Sequence, residues 1–305
     1  MKFLNNIDQA IPVLNALGSQ IRINIVKLLC SNNELSLNDI AQKLNITNGA
    51  LTPHIKILNE AGLINIRLVT LPRGVSKMVS LAEDKIIIEF FDSSLTIPSY
   101  DLELNVGQYS EYKASSPCGL ATFENFVGGL DSDIYFTFPD RFKAEIVWLT
   151  SGYLVYSFPY LVSSDQNVEE IQITMEISGE APGTAKHYPS TIDLFINDIH
   201  LGKDYLPGER FERRGKLTPS WWRDNYAQYG WLKLYSINNE GTYFNGERVS
   251  DVTISDLNLN KDKVINFKIS CEDRSINKGG ITLFGKRFGD QEQGIKLRIS
   301  YTPKN

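Results

Sequence analysis

Five short polar or basic side chains occur within ten residues of one another in the first third of the chain: Thr47, Asn48, Thr52, His54 and Lys56. Hydroxyl and amide groups of this size can hydrogen-bond to the edges of bases, and a lysine can contact a phosphate. Between them lie apolar residues at a spacing of three and four: Leu51, Ile55 and Leu58. The pattern predicts a helix with a buried apolar side and an exposed side that contacts double-stranded DNA.

A second short helix is predicted just before this one. Ser36 and Asp39 have the spacing of a capping box, which marks a helix start. Asn45 tolerates the left-handed conformation that a tight turn needs, and Gly62 has the usual chemistry of a helix end. Two helices joined by a tight turn form a helix-turn-helix, which places its second helix in the DNA major groove.

The start of the second helix can be placed in two ways. Thr47 can cap it, in which case Pro53 lies inside the helix at a cost of about 3 kcal/mol. Alternatively, Thr52 is the cap and Pro53 is the first helical residue, where proline is well tolerated. Both alternatives direct the positive end of the helix dipole towards phosphates.

A β-hairpin is predicted immediately after this helix. Alternating apolar residues in LINIRLV and SKMVSLA flank the turn LPRG at residues 71–74. Arg73 at the tip, with Arg67 and Lys77 on the arms, would contact the DNA backbone or minor groove. A helix-turn-helix followed by such a hairpin is a winged helix-turn-helix.

Two sequence runs carry a family resemblance: LGSQIRINI at 17–25 and LTPHIKILNEAGLI at 51–64. They resemble the ArsR-type winged-helix repressors, and the similarity extends over residues 8 to 82. The resemblance implies a homodimer bound to a two-fold-symmetric operator. It also implies DNA contacts from the positions matched here by Thr47, Asn48, Thr52, His54 and Lys56.

The chain departs from the metal-sensing members of that family. Those members carry a Cys-x-Cys ligand set on the helix before the recognition helix, where this chain reads ELSLND at 34–39. A tetrahedral zinc site needs about four nitrogen or sulfur ligands. The chain has three cysteines and three histidines, far apart in sequence. The sequence therefore predicts no metal site and no cofactor.

Composition is that of a soluble globular protein of two domains, since the chain has 305 residues with 42% hydrophobic and 22% charged residues. No apolar run approaches the ~18 residues of a membrane helix. Three scattered cysteines predict reduced thiols and a cytoplasmic protein. The net charge is −5, yet residues 40–80 carry five basic groups and one carboxylate, so the DNA-contacting stretch is locally positive.

The remainder of the chain alternates with a period of two. Ten strand candidates are predicted at 134–138, 145–149, 153–158, 169–177, 191–197, 231–237, 251–257, 264–270, 281–284 and 295–301. Many short strands separated by Gly, Pro, Asn and Asp turns indicate an antiparallel β-sandwich or jelly roll. The predicted fold class is α+β, with residues 1–92 forming the winged helix-turn-helix, 93–117 a linker or first strand, and 118–305 the β-sandwich.

One segment without strand periodicity, residues 202–230, concentrates aromatic and basic side chains. Aromatic faces beside hydrogen-bonding groups are suited to a sugar ring. The candidate ligand-binding residues are Arg213, Arg214, Trp221, Trp222, Tyr226 and Tyr229. The alternative is that the aromatic side chains cover one end of the sandwich and the arginines pair with nearby acids.

The same half of the chain carries a second resemblance. The runs RRGKLTPSWW at 213–222, YGWLKLYSINNEGTYFNG at 229–246 and GGITLFGKRFG at 279–289 look like the C-terminal β-domain attached to some ArsR-type regulators. Its sandwich is similar to galactose-binding-like carbohydrate-binding modules. The resemblance implies a jelly roll and a carbohydrate effector, and it transfers no site residues.

Three functions follow from these observations. The leading one is a transcriptional regulator of the repressor type whose β-sandwich senses a small ligand. The second makes the sandwich a ligand-free dimerisation or protein-interaction module. The third is a glycosidase, which needs a pair of flanking carboxylates. The carboxylates available for such a pair are Glu180, Asp193, Glu209 and Asp224. No spacing selects two of them, so the sequence predicts no catalytic residue.

Overall fold

A computed structural model describes residues 2–4, 7–32, 34–71, 74–83, 86–88, 97–182, 189–208, 213–259, 263–272 and 279–304. The chain divides into two compact units, Met1–Ser93 and Ser94–Asn305. No helix among the described residues is long and apolar enough to span a membrane. The predicted α+β architecture is confirmed, with helices in the first unit and an antiparallel sandwich in the second.

The first unit contains four helices in its described part: α1 (Ile7–Leu17), α2 (Gln20–Cys30), α3 (Leu37–Leu44) and α4 (Asn48–Glu60). Its strands are β1 (Lys2–Leu4), β2 (Leu35–Ser36), β3 (Ile64–Leu71), β4 (Gly74–Leu81) and β5 (Ile86–Ile88). One apolar core joins the inward faces of the helices with β4. The core includes Ile25, Ile40 and Leu58, all fully buried.

Side-chain caps explain where α3 and α4 begin. Ser36 accepts from the backbone N–H of Asp39 while the Asp39 carboxylate accepts from the N–H of Ser36, both at 3.1 Å. Asn45 ends α3 in the left-handed conformation, with φ of 53°. Thr47 caps α4 by accepting from Ala50 N–H at 3.2 Å. Of the two possible starts of α4, the structure therefore has the one capped by Thr47, with Pro53 inside the helix.

The predicted hairpin is the pair β3 and β4, aligned antiparallel from Ile64 opposite Leu81 to Leu71 opposite Gly74. The short strand β2 joins it to make a three-stranded sheet. Leu63 and Val79 are buried, so the base of the hairpin is anchored in the core. This arrangement is a winged helix-turn-helix.

The second unit contains twelve strands in its described part: β6 (Ser99–Leu104), β7 (Glu111–Ala121), β8 (Ile146–Pro159), β9 (Gln166–Ser178), β10 (Ser190–Ile196), β11 (Ile199–Leu206), β12 (Trp231–Asn238), β13 (Thr242–Phe244), β14 (Glu247–Ser250), β15 (Val264–Ser270), β16 (Ile281–Phe284) and β17 (Ile295–Pro303). One layer runs β11-β10-β15-β8-β7 and the other β6-β17-β9-β12-β13-β14. Strand β16 pairs with both β8 and β9 and so joins the layers.

Alternation fixes which side chains enter the core between the layers. Along β10 every second residue is buried, from Ser190 to Ile196, which is the period of a strand covered on one face. Burial of side chains such as Tyr156, Phe267 and Leu297 supplies most of the driving force for folding. Stretch 93–117, predicted as a linker or first strand, contains β6 and the first part of β7.

Three strand predictions are wrong. Residues 134–138 and 251–257 were predicted as strands, but Asp133–Thr137 and Ile254–Leu257 are 3₁₀ turns. Residues 145–149 and 153–158 were predicted as two strands separated by a turn, but they form the single strand β8. Gly152 lies in the middle of this strand with φ of 132°. A Cβ added there would lie 1.8 Å from the backbone oxygen of Lys113.

Candidate functional site

The helix α4 has one buried and one exposed side. Leu51, Ile55 and Leu58 are buried in the core of the first unit. The exposed side carries four of the predicted DNA-contacting residues: Thr47, Asn48, Thr52 and Lys56. No acidic residue lies in the first turn, so nothing there repels a phosphate from the positive end of the helix.

Local contacts hold these side chains without covering them. Asn48 Nδ2 donates to Asn38 Oδ1 at 2.7 Å, which joins α4 to α3. The Thr52 hydroxyl donates to the backbone oxygen of Asn48 at 2.8 Å. Lys56 Nζ lies 3.7 Å from Glu60, and both side chains are largely exposed. Such a surface pair is worth at most about 1 kcal/mol and exchanges readily for a phosphate.

His54 lies closer to the interior than the other predicted contacts. Its side chain is half-buried, and its Nδ1 is buried without a hydrogen-bond partner among the described residues. His54 Nδ1 therefore makes no hydrogen bond to a backbone group at the start of α4.

The wing positions its predicted contacts differently. Lys77 is exposed on β4. Arg67 on β3 pairs with Glu34, with Nε donating to Oε1 at 2.5 Å, so a contact with DNA would have to displace or share that carboxylate. Arg73 lies outside the described residues.

The helix α1 exposes a stripe of apolar side chains, formed by Ile7, Ile11 and Leu14. The spacing of four and three places them on one face of the helix. Ile21 at the start of α2 is also exposed. Large apolar side chains grouped in this way on a surface mark an interaction face.

In the segment predicted to bind a sugar, two of the candidate residues are buried. Trp222 is 1% exposed and Tyr229 is 3% exposed. The Trp222 ring packs against Phe126, Trp148 and Phe288 at centroid distances of 5.2 to 5.7 Å. Neither ring has a face open to a ligand, because both are buried.

The two arginines of that segment pair with acids, as the alternative interpretation expected. Arg213 Nη1 donates to Asp290 at 3.0 Å and its guanidinium lies 4.0 Å from the centre of the Tyr229 ring. Arg214 pairs with Asp224 and donates to the backbone oxygen of Pro219. Two aromatic members remain near the surface and stay a prediction: Trp221, which is half-buried, and Tyr226, whose hydroxyl accepts from Arg223.

Buried Glu176 is an unexpected anchor of the same region. Its carboxylate accepts from the backbone N–H groups of Gly230, Asp290 and Gln291 at 2.7 to 3.0 Å. Burial raises the pKa of Glu176 to about 7, although those N–H groups act in the opposite direction. For Asp290, burial acts to raise the pKa, but Arg213 and the N–H of Lys216 outweigh it and hold the pKa below its ordinary value.

A cleft in the second unit escaped sequence reasoning. Its volume is about 520 Å³, within the range of about 300 to 1,000 Å³ that is usual for small-molecule sites. Four separated parts of the chain supply its walls: Asn105, 122–128, 140–145 and Arg287. Phe123 and Phe142 are among the lining residues, with Glu124, Glu145 and Asn105. No local sequence signal could join segments so far apart.

Two further observations bear on metal and catalytic chemistry. Among the described residues, no group of three or more His, Cys, Asp and Glu side chains is placed to hold a metal ion. Of the carboxylates considered for a glycosidase pair, Asp193 contacts His200 at 2.7 Å and Asp224 pairs with Arg214. Glu180 is fully buried, and Glu209 lies outside the described residues.

No curated protein matched the chain. Among solved structures, reduced HlyU and HlyU, both from Vibrio cholerae N16961, are 26% identical, at a TM-score of 0.23. They cover 25% of this chain, and 76% and 78% of their own.

A third solved structure matches the larger part of the chain. It is a carbohydrate-binding module, CBM36, in complex with calcium and xylotriose, 9% identical over 66% of this chain and 99% of its own. The TM-score of this match is 0.27. The family model for the bacterial regulatory proteins of the arsR family matches residues 19–65, which run from the start of α2 into β3. The first unit therefore carries an ArsR-family helix-turn-helix, a DNA-binding module of transcription regulation.

Proposed function

We propose that this chain is a transcription regulator that binds a two-fold-symmetric operator as a homodimer. In this proposal its β-sandwich unit binds a small ligand that changes operator affinity. The observation that carries the proposal is the exposed side of α4, where Thr47, Asn48, Thr52 and Lys56 present small polar and basic groups within an ArsR-family module. Lys56 would neutralise a phosphate, and Asn48 and Thr52 would contact base edges.

The exposed stripe on α1 supports the homodimer. Ile7, Ile11 and Leu14 would be covered by the same residues of a second copy, since a two-fold contact is self-complementary. Two copies would then place their α4 helices about 34 Å apart, in successive major grooves on one side of the DNA.

The cleft of the second unit supports ligand sensing. A bound ligand can change operator affinity only if it has different affinities for the DNA-bound and free states of the protein. A second function for this unit, protein interaction, is favoured by a different observation. Leu130, Ile134 and Phe138 are exposed apolar residues within nine positions, and a partner of complementary shape would cover them.

Selection of DNA by the full chain from a random double-stranded pool tests the proposal. We expect enrichment of an inverted repeat. Lys56→Ala should weaken its binding at low salt and reduce the magnitude of the slope of log affinity against log salt by about 2, because the homodimer loses two phosphate contacts. Lys27→Ala is the matched control, because Lys27 is an exposed lysine on α2, outside the pair of helices α3 and α4 and outside the wing. Selection without an enriched sequence, or equal effects of the two variants, would contradict the proposal.

A further inference from the structure

The cleft of the second unit combines two aromatic rings with unused hydrogen-bonding groups. Phe142 is 50% exposed and lies on one wall, and Phe123 lies on another. The Arg287 guanidinium stacks 3.7 Å from the centre of the Phe123 ring. Aromatic faces at the wall of a small-molecule cleft can pack against the C–H faces of a sugar ring.

Donors and acceptors both face this space. Within the described part of the chain, the side chains of Glu124 and Asn105 make no hydrogen bond, and the Arg287 guanidinium has no hydrogen-bond acceptor. Glu145 is half-buried, and one carboxylate oxygen accepts from the backbone N–H of Arg287 at 3.2 Å. Burial raises the pKa of Glu145, and the opposing effect of Arg287 does not cancel it.

The mixture of charges selects the class of ligand. An anion would meet three carboxylates, those of Glu124, Glu145 and Asp140. A cation would meet Arg287 and Lys143, and Lys143 already pairs with Asp140 at 2.9 Å. A neutral hydroxyl group donates and accepts at once, so it can satisfy carboxylates and a guanidinium in the same site without bringing a charge into it.

We propose that this cleft binds a neutral saccharide of one or two rings, held by Phe123, Phe142, Glu124 and Arg287. The inference rests on the proposed ligand-sensing role of the second unit and identifies both its site and its ligand class. In this proposal Trp221, from the segment 202–230, packs against the loop of the cleft and does not line the cleft itself. Trp221 Nε1 donates to the backbone oxygen of Phe123 at 2.6 Å, and its ring meets Phe126 at 5.3 Å.

Isothermal titration of the full chain tests the inference. The probes are glucose, galactose, mannose, xylose, maltose, cellobiose, xylobiose and lactose, with glucuronic acid and glucosamine as charged comparisons. We expect at least one neutral probe to bind and to change tryptophan fluorescence, because Trp221 contacts the loop of the cleft. Preferential binding of a charged comparison would overturn the ligand class, and no binding of any neutral probe would overturn the inference.

Two variants and a matched control locate the site. Phe142→Ala removes a ring from the cleft and should weaken binding of the neutral probe about tenfold, as should Glu124→Gln. Ile134→Ala removes an exposed apolar side chain, 55% exposed on the same part of the chain but outside the cleft, and should change affinity less than about twofold. Circular dichroism verifies that each variant folds.

The outcomes separate this inference from the proposed function. Binding of a neutral probe that both cleft variants retain would overturn the site while leaving ligand sensing in place. Failure of the DNA selection described above would contradict the regulator and leave the saccharide titration unaffected. A probe that binds the cleft should in addition shift the affinity of the full chain for the selected DNA, because the proposed function requires that coupling.

Discussion

The indole N–H of Trp221 donates to the backbone carbonyl of Phe123 at 2.6 Å, across 98 residues of sequence. The bond joins the tryptophan-rich segment to the loop that follows β7. Phe126 of the same loop packs edge-on against both Trp221 and Trp148. The aromatic segment therefore supports one wall of the cleft from behind.

Replacing Trp221 by Phe should test that support. The smaller ring keeps the apolar contact and leaves the carbonyl of Phe123 without its donor, so we expect a loss of about 1 kcal/mol in the free energy of unfolding. Urea unfolding followed by circular dichroism measures it. Tyr226→Phe is the control, since its hydroxyl takes part in an exposed contact with Arg223; equal effects would contradict a special role for Trp221.

Glu176 should make the stability of the second unit depend on pH. Its pKa of about 7 lies above the ordinary value of 4.5, so the folded state binds the proton more tightly than the unfolded chain. The stability that this proton contributes is present below about pH 4.5 and is lost as the pH rises through about 7. Glu176→Gln cannot lose a proton there.

Urea unfolding of wild type and Glu176→Gln at several pH values measures this difference. The stability of wild type relative to the variant should fall between about pH 4.5 and about pH 7. A difference that stays constant, or that grows with pH, would show that the Glu176 carboxyl has no raised pKa in the folded protein.

The ion pairs of Arg213 and Arg214 should differ in their contribution to the free energy of unfolding. The side chain of Asp290 is 8% exposed and that of Asp224 is 88% exposed. Asp290→Asn leaves Arg213 partly buried without its carboxylate and should cost about 3 kcal/mol in the free energy of unfolding. Asp224→Asn should have little effect, because an exposed pair gains little in water. Unfolding in guanidinium chloride measures both losses. Similar losses for Asp290→Asn and Asp224→Asn would contradict this prediction.

The apolar stripe on α1 predicts the behaviour of the protein in solution. Ile11→Asp places a charge in the middle of the stripe, and we expect sedimentation to show a shift from dimer to monomer. Leu68→Asp is a matched control, because Leu68 is a highly exposed apolar residue on the wing. If both variants remained dimeric, α1 would not be the dimer interface.

Much of the first unit was predictable from local signals. The observed bounds of α1 and α2, Ile7–Leu17 and Gln20–Cys30, follow the periodicity of their apolar residues. The cap at Ser36 acts within a single turn, so the sequence alone contains the whole interaction, whereas for α4 the sequence left Thr47 and Thr52 as alternative caps. Strand β15 at Val264–Ser270 was likewise predicted with its observed bounds, since its alternation is uninterrupted.

The errors came from features that depend on distant residues. Residues 134–138 alternate like a strand, yet Asp133–Thr137 forms a 3₁₀ turn in which buried Phe136 packs against Tyr112 at 5.4 Å. The role of Trp222 depended on Trp148, Phe288 and Phe126, which come from three other parts of the chain. The cleft was missed for the same reason, because Phe123, Phe142 and Arg287 meet only in the folded sandwich.

The most direct test of the central claim is a hydroxyl-radical footprint of the full chain on the DNA that it selects. Because the account has two α4 helices entering successive major grooves, it predicts two protected regions about 34 Å, or about one helical turn, apart on one side of the duplex. Lys56→Ala should weaken both regions together. A single protected region, or protection that does not change in Lys56→Ala and Thr52→Ala, would contradict the account.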